Sequence, residues 1–187
     1  RALPGDDQNA TARIDPRLIS GNGDGQVGPT GQGPQTAQAI TTFATANQGE
    51  NYQYFKALMA AKLLNGGEVG PASTISSTAF GGGSSPPAAP ITGSGLTVVY
   101  GMHEGDGATV TTRETAHWYR IHKNPLTPGP VFTPRELASI DNQIDDGLPM
   151  EGGVRADGTP ACAPQGVGAV YTLSDTVACV GLFIGHP

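Results

Sequence analysis

FTPRELASIDNQIDDGLP, residues 132–149, holds both a start signal and a stop signal for one helix. Thr133 is a good N-cap, and Pro134 suits the first helical position. Glu136 stands three residues after the threonine and completes a capping box. These residues predict a helix that begins just after Thr133.

The same stretch predicts where this helix ends and which side is buried. Asp146-Gly147 is the expected exit, and Pro149 prevents continuation. The apolar side chains recur at helical spacing. We therefore expect one buried stripe, made of Leu137, Ile140 and Ile144.

Three aspartates lie toward the end of this helix: Asp141, Asp145 and Asp146. The helix dipole is negative there and disfavours each carboxylate by a few tenths of a kcal/mol to about 1 kcal/mol. A calcium ion would compensate them, since it prefers carboxylate and carbonyl oxygens. Three alternatives stay open: hydrogen bonds from a packed loop, an ion pair with Arg135 or Arg155, and ordinary turn chemistry.

The segments on either side of this helix have the pattern of β-strands. Residues 95–102, GLTVVYGM, are β-branched and aromatic, and residues 116–123, AHWYRIHK, alternate between two faces. Near the end of the chain, two further strands are expected at 168–173 and 177–184, joined as a hairpin.

Helical signals come earlier in the chain. Residues 50–65, ENYQYFKALMAAKLLN, place apolar side chains on one face, and Gly66-Gly67 supplies a stop. Residues 35–47 have a helical composition that their threonines weaken. Helices followed by strands predict an α+β fold with an antiparallel sheet. The apolar face of the 50–65 helix comprises Tyr52, Phe55, Leu58, Met59 and Leu63.

The length of 187 residues suits one domain, residues 1–187, with a real core. Gly and Pro number 28 and 16, which predicts many loops and few long helices. Residues 70–94 form a Gly/Ser/Pro-rich stretch that we expect to run over the surface as a loop.

The charge and cysteine content limit the class of protein. The net charge of −6 disfavours a nucleic-acid partner. Lys and Arg together number only 10, which is typical of exported bacterial proteins. In such a protein Cys162 and Cys179 would form a disulfide, the alternative being two buried thiols. No apolar run reaches the about 18 residues of a membrane span.

A second acidic segment is SGNGDGQV, residues 20–27. Asn22, Asp24, Gly25 and Val27 fit part of a calcium-binding loop, which alternates oxygen ligands around a sharp glycine turn. The closing glutamate of such a loop is missing, because Gly31 stands in its place. The alternative is a Gly-rich turn with Asn and Asp in left-handed conformations.

No catalytic signature accompanies these acidic segments. The chain has no GxSxG elbow, P-loop, GxGxxG or zinc motif, so we expect no enzyme. His117 and His122 are five apart, which places them on opposite faces of a regular strand. The ALPGDD turn, residues 2–7, is expected at the surface. Asn9-Ala10-Thr11 is a glycosylation sequon, which matters only in a host that modifies such sites.

Several of these elements together resemble one family. RALPGDDQNATAR, GNGDGQV, KALMAAKLLNGG and FTPRELASIDNQIDDGLPMEGGVRADG, followed by two cysteines, look like the soluble part of bacterial type IV pilin-like proteins and pseudopilins. These proteins are cleaved and methylated at the N-terminus. The resemblance covers most of the chain apart from residues 70–94.

The resemblance implies an architecture. An apolar helix would precede Arg1, anchored in the inner membrane before assembly and in the filament core afterwards. The head would pack a roughly four-stranded antiparallel sheet on helical segments, with a C-terminal disulfide loop. Calcium orders a loop in related pseudopilins, which favours Asp141, Asp145 and Asp146 as an ordering site; Asn22 and Asp24 remain the other candidate ligands.

The resemblance also implies a function. The chain would be a non-enzymatic structural subunit of a type IV pilus-like filament or a type II secretion pseudopilus. Its partners would be other pilin subunits, and its location the bacterial cell surface or periplasm. The alternative is a minor-pilin or adhesin head that recognises a surface, a sugar or a partner protein through residues 70–94.

Overall fold

The computed structural model describes residues 2–28, 49–65, 79–81, 86–103, 114–125, 129–158, 160–164, 166 and 168–185. The elements among them are α1 (Ala10–Arg13), α2 (Glu50–Ala60), β1 (Ser94–His103), β2 (Glu114–Lys123), α3 (Pro134–Ile144), β3 (Val154–Gly158) and β4 (Cys179–Gly185). The predicted α+β class is confirmed, and its sheet is antiparallel with four strands. The predicted helical segment 35–47 and the Gly66-Gly67 stop lie outside the described residues.

The strands follow the order β1-β2-β4-β3 across the sheet. The last strand in sequence therefore lies between β2 and β3 and pairs with both. The predicted hairpin of 168–173 and 177–184 is wrong, because residues 168–173 form no strand. Their place beside β4 is taken by β3, which the sequence did not predict. Its five residues, VRADG, include two charges and a glycine, so pairing with β4 rather than an apolar pattern makes it a strand.

The two longer helices of the described residues, α2 and α3, pack on one face of the sheet. Directly paired residues point to the same side, so Val98, Tyr119, Phe183 and Val154 form one row on this face. Residues 3–27 and α2 cover the β1 end of this face, and α3 covers the β3–β4 end.

The opposite face of the sheet is also buried. Trp118 is fully buried there beside Leu182, and the guanidinium carbon of Arg155 lies 5.1 Å from the centre of the Trp118 ring. His122 lies on this side, whereas His117 faces the N-terminal segment. The expectation that the two histidines occupy opposite faces is confirmed.

Helix α2 is shorter than predicted. It ends at Ala60 with Ala61 as its C-cap, and Lys62 adopts a positive φ of 58°. Tyr52, Phe55 and Met59 of the predicted apolar face are buried, but Leu63 lies beyond the helix and is 75% exposed. The chain turns before Leu63 and so removes it from the buried stripe.

Helix α3 begins as predicted. Glu136 N donates to Thr133 Oγ1 at 3.1 Å, and Thr133 N donates to Glu136 Oε2 at 2.8 Å, which completes the capping box. The helix ends at Ile144, and Gly147 has φ +77° at the exit. Leu137 is fully buried, but Ile144 is 65% exposed. The buried position one turn after Leu137 is taken by Asp141, so the predicted stripe is wrong at its end.

The turn that follows α3 lies along the outer edge of the sheet. Val154 N of β3 donates to Asp145 Oδ2 at 2.9 Å, and Ala156 N donates to Pro149 O at 2.8 Å. At the other edge, Leu96 N and Tyr100 N of β1 donate to the carbonyls of residues 87 and 27. These four outward-facing backbone donors are thus satisfied from within the chain.

The two cysteines form the expected disulfide. The Cys162–Cys179 bond joins the first residue of β4 to the loop after β3, with 5.1 Å between the Cα atoms. Thr172 N donates to Cys162 O at 2.9 Å, so the enclosed segment folds back over the bond. Among the described residues, no helix is both long and apolar enough to span a membrane.

Only parts of the Gly/Ser/Pro-rich stretch 70–94 are described, namely 79–81 and 86–94. The Phe80 ring packs edge-on against the His122 ring, with 5.2 Å between the ring centres. Ala88 forms an isolated antiparallel bridge with Gly95 at the start of β1.

Candidate functional site: two carboxylate clusters

The three aspartates at the end of α3 come together in space. One oxygen from each of Asp141, Asp145 and Asp146 lies within 4.8 Å of the others. Asp141 is fully buried, whereas Asp145 and Asp146 are exposed. We refer to these three residues as the C-terminal cluster.

Asp141 connects α3 to the segment enclosed by the disulfide. Its Oδ2 accepts from the Tyr171 hydroxyl at 2.8 Å, and its Oδ1 accepts from Gly147 N at 3.1 Å. Burial raises the pKa of Asp141 from 3.8 to about 6, and the charges of Asp146 and Asp145 raise it further against these two hydrogen bonds. Burial also raises the pKa of Tyr171. The folded environment therefore disfavours the charged form of Asp141.

The two exposed aspartates bind the backbone that follows. Asp145 Oδ2 accepts from Gly153 N and Val154 N, and Asp146 Oδ1 accepts from Leu148 N at 2.8 Å. Within the described part of the chain, the second oxygen of each accepts no hydrogen bond. Backbone donors therefore compensate much of the negative charge that collects at this helix end.

The two candidate arginines, Arg135 and Arg155, contact groups other than these aspartates. Arg135 pairs with Asp175 at 2.9 Å, at the start of α3. Arg155 donates from Nε to Gly152 O at 2.9 Å and lies over Trp118.

A second carboxylate cluster joins three separate segments. One oxygen from each of Asp6, Asp24 and Glu50 lies within 4.8 Å of the others. Asp6 and Glu50 are buried, and Asp24 is exposed. We refer to these three residues as the N-terminal cluster.

Both buried carboxylates of the N-terminal cluster accept from the glycine-rich loop 20–28. Asp6 accepts from Gly23 N at 2.6 Å and Gly25 N at 3.0 Å. Glu50 accepts from Asn22 N at 2.8 Å and, more weakly, from residue 28. The loop is therefore folded around two carboxylates that come from the ALPGDD turn and from the first turn of α2.

The two residues predicted in this loop, Asn22 and Asp24, mainly bind their own loop. Asn22 Oδ1 accepts from Asp24 N at 2.9 Å, and Asp24 Oδ1 accepts from Gln26 N at 2.8 Å. The left-handed positions belong to Gly23 and Gly25, with φ of +77° and +83°, rather than to Asn22 and Asp24. Asp24 lies in the carboxylate cluster, and Asn22 donates to that cluster from its backbone N to Glu50 and from its side-chain Nδ2 to Asp24.

Burial also shifts the ionisation of groups around the N-terminal cluster. It raises the pKa of Glu50, and the nearby charges of Asp6 and Asp24 raise it further against the N–H donors. His117 Nε2 accepts from Val27 N at 3.2 Å, and burial lowers the pKa of this histidine. The imidazole is therefore held neutral where it fixes the end of the loop.

The two clusters differ in their fitness for a cation. In the N-terminal cluster, all six carboxylate oxygens already accept from an N–H group. In the C-terminal cluster, Asp145 Oδ1 and Asp146 Oδ2 accept from no described group, and both residues lie beside the buried carboxylate of Asp141. Hard cations such as calcium bind about six to eight oxygens, so the C-terminal cluster has the better partial ligand set.

The sequence grouped the C-terminal aspartates correctly but missed Asp6 and Glu50. The ALPGDD turn was expected at the surface, yet Gly5, Asp6 and Asp7 are buried. A Cβ on Gly5 would lie 2.3 Å from Glu50 O, and a Cβ on Gly21 would lie 2.4 Å from the Asp6 Cα. In the sequence, glycine at positions 5 and 21 was the only local signal that backbone from another segment packs against these positions.

One hydroxyl–imidazole pair in the sheet has hydrolase-like chemistry. Thr97 Oγ1 lies 2.8 Å from His122 Nε2, and His122 Nδ1 lies 2.9 Å from the Lys123 carbonyl. The carbonyl can only accept, so Nδ1 carries a proton. Both side chains are buried, which keeps the pair out of a substrate's reach.

Comparisons with protein-family models, with curated proteins and with solved structures found no match to this chain.

Proposed function

We propose that this chain is the head of a type IV pilin-like subunit that assembles into a pilus-like filament or a type II secretion pseudopilus. It performs no catalysis. Its partners are other pilin subunits, and it works at the bacterial cell surface or in the periplasm. An apolar segment encoded ahead of Arg1 anchors it in the membrane before assembly.

The observation that carries this proposal concerns the motifs on which the family resemblance rests. The PGDD and NGDG elements bind each other, because Asp6 of the first accepts from Gly23 and Gly25 of the second. The IDNQIDDGLP element binds β3 through Asp145 and the disulfide-bonded segment through Asp141. Each motif therefore holds the head together, as expected of a structural subunit.

We further propose that calcium orders the C-terminal cluster. Asp145 and Asp146 are exposed and each has one carboxylate oxygen that accepts from no described group, and the buried charge of Asp141 beside them favours a cation. A cation there would link the end of α3 to the edge of the sheet. Backbone carbonyls of the following turn and water would complete its oxygen ligands.

The filament proposal is tested on the complete gene product in its own cells. Material sheared from the cell surface is examined by electron microscopy and by immunoblotting for this chain. Filaments that contain the subunit are expected. Asp6→Ala should abolish them, because Gly23 and Gly25 lose their acceptor, whereas Asp175→Ala, at an exposed site, should not. A complete gene product with no apolar segment and no polymer would overturn the proposal.

The calcium proposal is tested by thermal unfolding in calcium and in EDTA. Calcium should raise the melting temperature, and Asp146→Asn should remove most of the increase while it keeps the acceptor for Leu148 N. Asp24→Asn is the matched control, because it removes one charge from the N-terminal cluster. Identical melting curves in calcium and in EDTA would refute the proposal. An increase lost in Asp24→Asn instead would move the site to the other cluster.

A further inference from the structure

The segment Asp7-Gln8-Asn9-Ala10-Thr11 has the sequence of an N-linked glycan acceptor. Asn9 is the only asparagine in the chain that is followed two residues later by Ser or Thr. Asp7 stands two residues before Asn9, and an acidic residue at that position extends the motif that bacterial oligosaccharyltransferases recognise. We propose that Asn9 carries a glycan that is transferred before this segment folds, an inference that rests on the export implied by the proposed function.

The folded head leaves room for a substituent on Asn9. The residue is the N-cap of α1, yet its side chain makes no capping hydrogen bond, and it is exposed together with Gln8 and Thr11. A sugar on Nδ2 would therefore replace no side-chain hydrogen bond among the described residues. The glycan extends from the folded surface without disturbing the N-terminal cluster beneath.

The other recognition groups of the motif are occupied once the head has folded. Asp7 is buried, and its carboxylate accepts from Asn9 N at 2.9 Å and from Arg13 at 3.0 Å. The Thr11 hydroxyl donates to Leu18 O at 3.0 Å. A transferase needs these groups free, so transfer precedes folding or requires local opening. Helix α1 has four residues, too few to be stable as an isolated helix, so it depends on the contacts of the folded segment.

The transfer needs only a lipid-pyrophosphate-linked oligosaccharide as the second substrate. A bond forms between Asn9 Nδ2 and the anomeric carbon of the first sugar. The bond from that carbon to the pyrophosphate oxygen breaks, and the lipid pyrophosphate leaves with the electron pair. One amide proton passes to a base on the transferase. No atom is oxidised or reduced.

The site is tested first by intact-mass and peptide mass spectrometry of the protein from its own cells. A glycan on the peptide that contains Asn9 is expected. Its absence would overturn the proposal. Because filaments are scored separately, filaments of unmodified subunits would refute the glycan alone, and glycosylated protein without filaments would refute the filament proposal alone.

The timing is tested in bacteria that hold an oligosaccharyltransferase and its lipid-linked donor. With an added export signal, the chain should gain one glycan mass. Asn9→Gln and Thr11→Val should lose it, while Thr11→Ser and the control Asn22→Gln retain it. The same enzyme and donor should modify the purified folded chain at least tenfold more slowly than Leu18→Ala, whose N-terminal segment is loosened. Equal rates would overturn the order of events.

Discussion

Replacing Asp141 by Asn removes one buried negative charge and keeps both of its neighbours supplied with hydrogen bonds. The Asn oxygen accepts from Gly147 N, and the Asn amide donates to the Tyr171 hydroxyl oxygen, in place of the donation that Asp141 receives. The shape of the side chain is unchanged. The substitution therefore isolates the charge of Asp141 from its packing.

The magnitude follows from the raised pKa of Asp141. The folded value is about 6 against 3.8 for an ordinary aspartate, a difference of about 2. At about 1.4 kcal/mol for each pKa unit, the ionised carboxylate lowers the free energy of unfolding by at most about 3 kcal/mol. As the pH rises from about 4, the unfolded chain loses this proton first, so stability falls until about pH 6 and then stays level.

Urea unfolding of the wild type and of Asp141→Asn, in EDTA and at pH 4, 5, 6 and 7.5, measures this effect. Between pH 4 and pH 7.5, the free energy of unfolding of the variant should rise relative to that of the wild type by up to about 3 kcal/mol. Most of this rise should occur below about pH 6. Any effect of the Asn amide on stability that does not depend on pH cancels in this comparison. A difference between the two proteins that does not change with pH would refute the reasoning.

Three further predictions concern stability and are measured by urea unfolding. Leu137→Ala should lower the free energy of unfolding by about 2–5 kcal/mol because Leu137 is fully buried, whereas Ile144→Ala at an exposed position should have little effect; equal losses would contradict the packing. Replacing Cys162 and Cys179 together by Ser should lower it by about 3 kcal/mol, and reduction of the wild type should give a similar loss. Thr133→Ala should lower it by about 1 kcal/mol, whereas Thr133→Ser keeps the capping hydroxyl and should retain most of that stability.

The elements that the sequence predicts well are those with local signals. The start of α3 follows from Thr133, Pro134 and Glu136, whose capping groups are all within three residues. Strands β1 and β2 follow from β-branched composition and from alternation between two faces. In each case the deciding contacts lie within one segment or within a repeating pattern.

The elements that the sequence misses depend on distant partners. Strand β3 has no apolar alternation and exists because β4 pairs with it. Residues 168–173 have strand-like composition, but the Tyr171 hydroxyl donates a hydrogen bond to Asp141, and Val170 and Leu173 are exposed. Composition alone cannot distinguish a strand from a loop held by such a long-range contact.

The two carboxylate clusters show the same difference between local signals and long-range contacts. Asp141, Asp145 and Asp146 are grouped by a single helix end, so their proximity follows from the sequence. Asp6 and Glu50 come from segments far apart in the chain and meet where the ALPGDD turn packs on the start of α2, with the loop 20–28 bonded to both. No spacing rule relates these two residues, so only the fold brings them together.

Proteins that crowd many identical copies along a fibre risk fusing through exposed strands into insoluble cross-β aggregates. Here the outermost amides of Val154 and Ala156 are already taken by Asp145 and Pro149, and those of Leu96 and Tyr100 by carbonyls of the same molecule. A neighbouring copy at these positions finds no vacant donor to recruit. In the filament that we propose, these four positions would therefore not pair with the edge strand of a neighbouring subunit.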